Sequence, residues 1–555
     1  MSSLARTSLA CWLVAGALAP AAARAEADLA GRRCVAILAT SDVHGALVPS
    51  VQESRRGASV SADGVLALSG YVAALRAARP GQVLLVDAGD LFQGTMPVNM
   101  SRGRAIIDAY NALGYDASAI GNHEFDYGPD PAGPGGPTGA LEGAIARAQF
   151  PFLAANMDDA TSRARPLWKN LASSVLKTVG GVRVGLVGVS TPSTPSSTLS
   201  VNVRDLSFAE AAPRIVREAA ALRAAGAELV VLLAHMGGRC RRTDDAHDSS
   251  SCAAKGAGLD GELFATLAAL PKGTVDVAVG GHTHEQVAHW IDGVAVVQSG
   301  AFGRFVGRVD ACVAPGGGLD RAASHIYPPQ RLCLTTWPDG SCRAGGGASR
   351  AVPATYEGRP VRVDANVAAA VQPYLQAVGE QERRLLGATL PGRVAPGVLA
   401  QWTAEGLRRA VRADFGLQNR GGVRTALAAG PVRYGDLFRA VPFDNRAVRL
   451  SLTGAQIEAL VRAVASGRAP DLWPRLAGLC LARGPSGLTV TTAKGLPLSP
   501  DRRYTFATNE FILAGGDGSE GLFAGVPAHD IELSNVSLRD SLALMLTALF
   551  AAPAP

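Results

Sequence analysis

Runs of apolar residues alternate with stretches of helical periodicity through the N-terminal half of the chain. The runs are rich in β-branched side chains and predict strands at 34–40, 83–87, 182–189, 229–234 and 275–280. Between them, apolar residues recur at helical spacing, most clearly at 65–78 and 208–225. This alternation of strands and helices favours a layered α/β architecture. A Gly/Pro-rich segment, 129–137, interrupts the pattern and is predicted to be a surface loop.

The pattern changes after the last of these strands. Residues 314–360 are rich in Gly, Pro and Arg without a clear period, which predicts a domain border. A helix-like stretch with a charged end, 367–386, leads into a second α/β region, and the apolar run 542–550 predicts a final helix. We therefore expect an α/β (α+β) protein with a first domain at 32–315, a linker and hinge helix at 316–386 and a second domain at 387–552.

Composition excludes some classes of protein. The chain has 555 residues, 48% of them apolar and 18% charged, so it is too long for one ordinary core and too apolar to be disordered. Its net charge of +6 comes from scattered arginines, with only short clusters such as Arg239, Arg241 and Arg242. Nucleic-acid binding requires a concentrated positive stripe, so we expect no nucleic-acid partner. The oligomeric state is left open.

The N-terminus has the features of a cleavable signal peptide at 1–25. Arg6 supplies the positive n-region, 9–18 the apolar stretch, and 21–25 the small residues of a cleavage site. The apolar stretch is shorter than the about 20 residues that span a bilayer. We predict a periplasmic or secreted protein without a stable membrane span. Lipidation at Cys11 is the alternative, and Ser8 argues against it because a branched apolar residue is expected there.

Seven cysteines remain once Cys11 is removed with the signal peptide. Export permits disulfides. Two pairs in polar, turn-rich segments are candidates, Cys240 with Cys252 and Cys333 with Cys342, although sequence alone does not fix the connectivity. The odd count predicts at least one free thiol, which we expect to be buried and inert.

Polar side chains collect where several apolar runs end, beside glycine or another turn former. In layered α/β folds, ligands bind beyond the carboxyl ends of the strands, so these loops are expected to meet at one rim. Carboxylate oxygens and imidazole nitrogens bind hard and borderline divalent ions. The candidates are too many for one ion and suit two ions about 3.5–4 Å apart, with Asp90 as the bridge. They are Asp42, His44, Asp90, Asn122, His235, His282 and His284.

Each segment alone has a simpler interpretation, such as a capped turn for Asp-x-His, a hydrogen-bonded core histidine for His235, or a solvated loop for His-x-His. In this order, however, Asp-x-His, Gly-Asp, Gly-Asn-His-Glu, His and Gly-His-x-His resemble the calcineurin-like metallophosphoesterase superfamily. The resemblance implies a four-layer αββα sandwich. It also implies one ion on Asp42, His44, Asp90 and His284, and a second ion on Asp90, Asn122, His235 and His282.

A candidate catalytic pair adjoins the predicted ligand Asn122. We predict that His123 stabilises developing charge or protonates the leaving oxygen, and that Asp126 orients its imidazole. Glu124 is expected to be structural. Two ions would offset the negative charge of a phosphate ester and lower the pKa of a water molecule, so that hydroxide attacks near neutral pH. Imidazole-rich ligation is compatible with Zn, Mn, Fe or Co.

Segments of the second domain suggest a nucleotide site. Asn419 and Arg424 flank a Gly-Gly turn, where a guanidinium suits phosphate, although a solvated basic turn has the same composition. Phe443 and Phe511 lie near turn residues and suit a clamp on a planar base, although both also suit a core. Together these segments resemble the C-terminal domain of the 5'-nucleotidase family. The resemblance implies base stacking between the two phenylalanines, ribose binding by Asp517, and contacts from Asn419 and Arg424 to base or phosphate.

One segment departs from the family pattern. Arg393 is assigned to the phosphate, but 393–405 lacks the Glu and the Gly-Asn that family members carry. This departure bears on which substrate is bound more than on which reaction is catalysed. Since the C-terminal domain of this family can rotate to deliver substrate, we also predict a hinge near 367–386.

We therefore predict an exported dinuclear-metal phosphoesterase that hydrolyses nucleoside phosphates to nucleoside and phosphate. The alternatives within the same family are a 2',3'-cyclic phosphodiesterase/3'-nucleotidase, a nucleotide-sugar hydrolase and a thiosulfohydrolase. A surface protein that binds a nucleotide without turnover is the non-enzymatic alternative. A protein that only binds a nucleotide would not require seven predicted metal ligands.

Overall fold

The computed structural model describes residues 32–53, 59–131, 133, 135–255, 258–337, 341–342, 351–465, 475–484, 487–519, 521–523 and 525–551. The predicted signal peptide and Cys11 lie outside these ranges. Within them, no helix combines the length and the apolarity that crossing a bilayer requires.

Thirteen strands build the two large sheets of the N-terminal half. They are β1 Cys34–Thr40, β2 Val83–Asp87, β3 Ala117–Ala119, β4 Phe152–Leu153, β5 Leu171–Ala172, β6 Ser174–Val179, β7 Val182–Ser190, β8 Leu229–His235, β9 Val277–Gly280, β10 Gln286–Ile291, β11 Val294–Ser299, β12 Phe305–Cys312 and β13 His325–Arg331. The first sheet has the order β13-β12-β1-β2-β3-β4-β5, and the second has the order β10-β11-β9-β8-β7-β6.

Alternating side chains explain why these strands form layers. In β1 all seven residues are buried. Successive side chains point to opposite faces of the sheet, and both faces are covered. Ala36 and Leu38 pack into a cluster with helices, whereas Val35 and Ile37 pack into a cluster shared with the second sheet. A sheet that is covered on both faces requires such a continuous apolar run.

Helices cover the outer face of each sheet. The helices of seven or more residues in this half are α1 Gly64–Ala78, α2 Arg104–Leu113, α3 Gly139–Arg147, α4 Ala211–Ala224 and α5 Glu262–Ala268. The first three pack on the first sheet and the last two on the second sheet. The result is helix, sheet, sheet, helix, so the predicted mixed α/β fold with four layers is confirmed.

The stretch 314–360, predicted to be a border without periodicity, contains structure of the first domain. Strand β13 pairs antiparallel with β12, and Leu332 and Trp337 are buried in the core of the first sheet. Strand β13 contains several polar residues and the Pro328-Pro329 pair, so it has no continuous apolar run. The pattern of apolar residues therefore did not predict this edge strand. The domain boundaries at 315 and 387 stay predictions.

The predicted hinge helix is α6, Ala365–Arg383. The Asp364 side chain caps it by accepting hydrogen bonds from the backbone N–H groups of Asn366 and Val367. Val367 and Val371 pack into the core of the first domain. The first half of the helix is therefore anchored on that domain.

The second domain has one five-stranded sheet with helices on both faces. Its strands are β14 Phe415–Gln418, β15 Arg446–Thr453, β16 Arg475–Ala477, β17 Arg503–Asn509 and β18 Ile531–Ser537, in the order β16-β14-β17-β15-β18. Its longer helices are α7 Pro396–Ala410, α8 Tyr434–Ala440, α9 Gly454–Ala465 and α10 Leu538–Phe550. Helix α9 packs on one face, and α7 and α10 pack on the other. The predicted final helix is thus confirmed.

The remaining α-helices and strands of the described residues are short. The short helices are Met96–Met100, Thr194–Ser197 and Glu510–Leu513. The two-stranded pairs are Ser50–Glu53 with Ser59–Ala62, Met157–Asp159 with Leu206–Phe208, Thr335–Thr336 with Val352–Pro353, Thr355–Tyr356 with Arg359–Pro360, Leu385–Leu390 with Gly430–Arg433 and Leu479–Gly484 with Gly487–Thr492.

Three disulfides lie in the described part of the chain. Cys240–Cys252 and Cys333–Cys342 confirm the two predicted pairs. Cys34–Cys312 joins the neighbouring strands β1 and β12, where the two residues stand in register. Among the described cysteines, Cys480 is the free one and it is exposed, so the expectation of a buried thiol was wrong. It lies on a strand of the ribbon Leu479–Gly484 with Gly487–Thr492, next to Leu479 and Leu481, which pack on the core of the five-stranded sheet.

Candidate metal centre and catalytic site

The carboxyl ends of five strands deliver the predicted ligands to one rim. Asp42 and His44 follow β1, Asp90 follows β2, Asn122 follows β3, and the other three lie at the ends of β8 and β9. Strands β1, β2 and β3 run parallel in the first sheet, and β8 and β9 run parallel in the second. Parallel strands end at the same edge, so residues up to 242 positions apart in sequence meet there.

The backbone at this rim is strained. Five of the seven predicted ligands have φ between 49° and 74°. A left-handed conformation of a residue other than glycine costs roughly 1–2 kcal/mol, and such strain persists where the surrounding structure enforces it, often at functional sites. The five are Asp42, His44, Asp90, His282 and His284.

Two groups of three side chains could each hold an ion. Asp42, His44 and His284 offer ligand atoms within 4.8 Å of one another. Nε2 of His44 lies 2.9 Å from Nε2 of His284, which in turn lies 3.8 Å from Oδ1 of Asp42. This group matches three of the four residues predicted for the first ion.

The second group contains Asp90, His235 and His282, again within 4.8 Å of one another. Nε2 of His235 lies 3.3 Å from Oδ2 of Asp90 and 3.1 Å from Oδ1 of Asn122. The same Oδ2 lies 3.9 Å from Nε2 of His44 in the first group. Asp90 therefore stands between the two groups, where a bridging ligand is needed.

Hydrogen bonds on the far side of the ligands fix their orientation. Nδ1 of His44 donates to the carbonyl of Gln93 (3.1 Å), and Nδ1 of His235 donates to the carbonyl of Ala88 (2.9 Å). Each Nε2 is thereby left with a lone pair that faces the site. The amide of Asn122 donates to the carbonyl of Ser197 at 2.9 Å, so its Oδ1 faces His235.

Glu124 ties two ligand loops together. Its carboxylate accepts hydrogen bonds from the backbone N–H groups of Asp90 (2.9 Å), Leu91 (2.7 Å), Phe92 (3.1 Å) and Gly121 (2.6 Å). The loops after β2 and β3 are thus held in one position by one buried side chain.

The polar groups of the site fit divalent cations. Oδ2 of Asp42 is buried without a hydrogen-bond partner in the described part of the chain, and two ring nitrogens converge at 2.9 Å. Burial raises the pKa of Asp42 to about 7 and lowers the pKa of His282 to about 3, which disfavours the charged form of each group. A cation supplies the positive charge that buried carboxylates require, and lone pairs of imidazoles and carboxylates are its ligands.

His123 and Asp126 form the predicted pair. Nδ1 of His123 donates to Oδ2 of Asp126 at 2.7 Å, and the hydroxyl of Thr198 donates to Oδ1 at 2.9 Å. The backbone N–H of His123 donates to Oδ1 of Asp90. Burial lowers the pKa of His123, but the carboxylates of Asp126 and Asp90 outweigh burial and raise it overall. The imidazole is thus oriented beside the ligand groups.

Arg424 of the second domain reaches this site. Its Nη2 lies 3.2 Å from Nε2 of His123 and 3.4 Å from Nε2 of His44, while its Nε is buried without a partner among the described residues. Its guanidinium lies over the ring of Phe443, 5.6 Å from the centroid, and that ring is 5.9 Å from the ring of His123. The two domains therefore meet at the predicted metal ligands.

Three of the other predicted substrate residues of the second domain lie close together, and the fourth, Arg393, lies apart from them. Asn419 donates to Oδ2 of Asp517 at 2.6 Å, and Asp517 has a left-handed φ of 53°. The ring of Phe511 packs over Gly516, one residue before Asp517. Arg393 is exposed and has no side-chain hydrogen bond or ion pair to any residue of the described ranges. The structure thus brings all the predicted residues except Arg393 into contact with another site residue or its neighbour.

Sequence reasoning missed several residues of the site, three polar and one aromatic. Thr198 lies in a Ser/Thr/Pro-rich loop whose composition indicates only a turn. Gln418 and Asn509 hold Asn419, since Gln418 donates to Oδ1 of Asn419 at 2.7 Å and Asn509 donates to Oε1 of Gln418 at 3.2 Å. Phe302 packs against the rings of His44 and His284. No spacing signal in the sequence could have found these contacts.

Two family models match the chain. Residues 35–286 match the calcineurin-like phosphoesterase model, and residues 378–524 match the model of the 5'-nucleotidase C-terminal domain. The first match contains every predicted metal ligand. The second contains all the predicted substrate residues. The prediction of a centre for two divalent ions is thereby confirmed, with the identity of the metal left open.

Several known proteins are similar to most of the chain. Protein UshA of Escherichia coli is 25% identical over 474 residues, which are 80% of this chain and 79% of that protein. Endonuclease YhcR of Bacillus subtilis is 25% identical over 86% of this chain, but this chain spans only 37% of its length. The crystal structure of a 5'-nucleotidase precursor from Thermus thermophilus superposes with a TM-score of 0.73 at 24% identity, covering 94% of this chain and 98% of that one.

The order of the two domains, the convergent ligands and these similarities agree. The chain therefore joins a calcineurin-like phosphoesterase domain to a 5'-nucleotidase C-terminal domain, belongs to the 5'-nucleotidase family and is a hydrolase of phosphoric esters.

Proposed function

We propose that this protein is an exported 5'-nucleotidase that hydrolyses nucleoside 5'-phosphates to nucleoside and phosphate. The observation that carries the proposal is the contact between Arg424 of the C-terminal domain and His123 of the phosphoesterase domain, at 3.2 Å. A guanidinium beside the metal ligands suits a phosphate that is held by both domains at once. A plain phosphoesterase has no need of a second domain at this position.

Seven side chains would hold the two ions. Asp42, His44 and His284 face the first position, Asn122, His235 and His282 face the second, and Asp90 faces both. Bound there, two divalent ions supply Lewis acids for the phosphoryl oxygens and a water molecule of lowered pKa. The protein's contribution is to fix these ligands by the strained loops and the hydrogen bonds to Gln93 and Ala88.

His123 and Arg424 act on the phosphoryl group itself. Nδ1 of His123 donates a hydrogen bond to Asp126, so Nε2 faces the phosphoryl group, where the protonated ring can donate a hydrogen bond to a phosphoryl oxygen or its proton to the leaving oxygen. Arg424 can donate from two N–H groups to two oxygens together. Because the charge on these oxygens grows during the reaction, donors that are already in position favour the transition state.

The rest of the substrate would lie against the C-terminal domain. Asn419 and Asp517 present an amide and a carboxylate to the ribose hydroxyls, and Phe443 and Phe511 present rings to the base. Base stacking on an aromatic side chain contributes about 1–3 kcal/mol. Arg393 is proposed to contact the phosphate only on the evidence of the family pattern.

Export is part of this proposal. Three disulfides in the described part of the chain suit an oxidising compartment. The predicted signal peptide supplies the route. Edman sequencing or mass spectrometry of the mature N-terminus, expected near residue 26, tests it, and a retained Met1 after expression with a secretion system contradicts it.

A substrate panel with phosphate release as the readout tests the function. We expect hydrolysis of AMP and UMP with Mn²⁺, Zn²⁺ or Co²⁺, and its loss after chelation. Exclusive activity on 2',3'-cyclic nucleotides, on nucleotide sugars, or on thiosulfonate-bearing substrates would assign the chain to another activity of the family. Nucleotide binding without turnover in every metal would contradict the enzymatic proposal.

A further inference from the structure

A buried arginine supports the loop that carries Phe443. Arg539 lies in the first turn of helix α10, and its side chain is only 6% exposed. Arginine is rarely buried unless its charge is paired. Its partner, Asp444, is 78% exposed, so this ion pair is half in solvent and is a weak source of stability.

The guanidinium binds the backbone of residues 441–444 at several points. Nε of Arg539 donates to the carbonyl of Val441 at 3.1 Å. Nη2 donates to the carbonyl of Phe443 at 3.4 Å and to Oδ1 of Asp444 at 2.5 Å. These contacts lie on both sides of the peptide that joins Pro442 to Phe443. A planar fork can hold such a set of acceptors, whereas a lysine ammonium cannot.

Two aromatic rings hold the guanidinium in place. Its central carbon lies 3.9 Å from the centroid of the Phe438 ring and 5.9 Å from that of the Tyr434 ring, and Nη1 lies 3.4 Å from the Tyr434 hydroxyl. Both rings belong to helix α8, which leads into the loop. The loop is therefore fixed between the start of α10 and the end of α8.

The supported loop lies where the two domains meet. The carbonyl of Pro442 accepts a hydrogen bond from the side chain of Asn99 in the first domain, at 3.0 Å. The next ring, Phe443, lies beside His123 and Arg424. A small shift of this loop would move the Phe443 ring relative to the phosphate-binding groups.

We propose that Arg539 is a positioning residue that sets the specificity of the enzyme for substrates that carry a base. It binds the carbonyls of Val441 and Phe443, so that the Phe443 ring is already in position when the substrate binds. Preorganisation of this kind improves affinity by lowering the cost of binding. This inference rests on the proposed nucleotidase function and assigns part of its base recognition to a residue that does not touch the substrate.

Paired substrates test this role. AMP and ribose 5-phosphate share the pentose 5'-phosphate and differ in the base, and steady-state kinetics are measured for both with the full-length, metal-loaded protein. For Arg539→Met we expect the KM of AMP to rise about tenfold, which corresponds to part of one stacking contact. The kcat of AMP and the kinetics on ribose 5-phosphate should stay within about twofold of the wild type.

Two further variants separate positioning from folding. Arg539→Lys keeps the charge but not the fork, so the KM of AMP should fall between those of the wild type and Arg539→Met. Arg408→Met is the matched control, since Arg408 also makes hydrogen bonds to a carboxylate and a carbonyl, those of Glu405 and Ala413, away from the loop. It should leave the KM of both substrates unchanged.

The outcomes are distinct. An unchanged KM for AMP in Arg539→Met overturns the inference, and so does an equal loss on both substrates with a lower melting temperature, because a merely structural role predicts that result. If Arg539→Met does not fold, the same criterion applies to Arg539→Lys and to Asp444→Ala, for which a smaller rise in the KM of AMP is expected. If the wild type itself does not favour AMP over ribose 5-phosphate, the proposed nucleotide function fails first.

Discussion

The guanidinium of Arg424 lies 3.2 Å from Nε2 of His123, although the two residues are 301 positions apart and belong to different domains. His123 is fixed by Asp126 from the opposite side of its ring. A phosphoryl group between the metal ligands and Arg424 would thus face the only ring nitrogen of His123 that is not bonded to Asp126. Catalysis then depends on the second domain as well as on the first.

Removal of the imidazole should abolish most of the turnover. We expect His123→Ala to lower kcat about 10²–10⁴-fold, the usual contribution of a positioned acid or base. Metal content, measured by inductively coupled plasma mass spectrometry, should not change. His529→Ala is the control, because the His529 side chain is 82% exposed. Wild-type turnover in His123→Ala would rule out the role.

Thr198 should act through Asp126. Thr198→Val deletes the hydrogen bond to Oδ1 of Asp126, which is worth about 1 kcal/mol or somewhat more beside a charged group. We expect kcat on AMP to fall about 5- to 10-fold with KM unchanged, and Thr198→Ser to restore it. If the serine variant is as slow as the valine variant, side-chain packing rather than the hydroxyl is responsible.

Arg424 should contribute to both binding and turnover. Arg424→Ala removes the guanidinium from the phosphoryl site, and we expect kcat/KM for AMP to fall about 10²–10³-fold. Arg420→Ala, in the same Gly-Gly turn, is the matched control because Arg420 is exposed. Equal effects of the two substitutions would show that general positive charge, and not the position of Arg424, matters.

Glu124 should matter for the metal centre rather than for chemistry. Glu124→Gln replaces one acceptor oxygen by an NH₂ group that faces backbone N–H donors. We expect metal affinity to fall about 10–100-fold, as for other residues that orient ligands from behind. Dialysis against a graded metal buffer measures this. Retention of both ions with wild-type affinity would show that the loops after β2 and β3 keep their positions without these hydrogen bonds.

Much of the fold and of the metal centre was predictable because the determinants are local. Buried strands such as β1 are continuous apolar runs, and six of the seven predicted ligands stand at the ends of such runs, so the rule for strand ends places them together. Asn122 follows the short strand β3, whose sequence is Ala-Ser-Ala, and was found only from its place in the Gly-Asn-His-Glu segment. The strand β13 was missed because an edge strand with two prolines has no apolar run.

Contacts between distant segments could not be predicted from patterns. Cys34 and Cys312 are 278 residues apart, and only the antiparallel register of β1 with β12 pairs them. Arg539 is a charged residue at the start of an apolar helix, and no pattern in the sequence predicts its burial. Its burial against Phe438 follows from how α10 and α8 pack.

The number of ions bound by each chain decides whether these ligands work as one centre. Purified full-length protein, loaded with Mn²⁺ or Zn²⁺ and freed of excess metal, should contain two ions per chain by inductively coupled plasma mass spectrometry and should release phosphate from AMP. The double variant His235→Ala/His282→Ala should contain one ion and lose this activity. A wild-type protein with a single ion at full activity, or a double variant as active as the wild type, would contradict the two-ion centre.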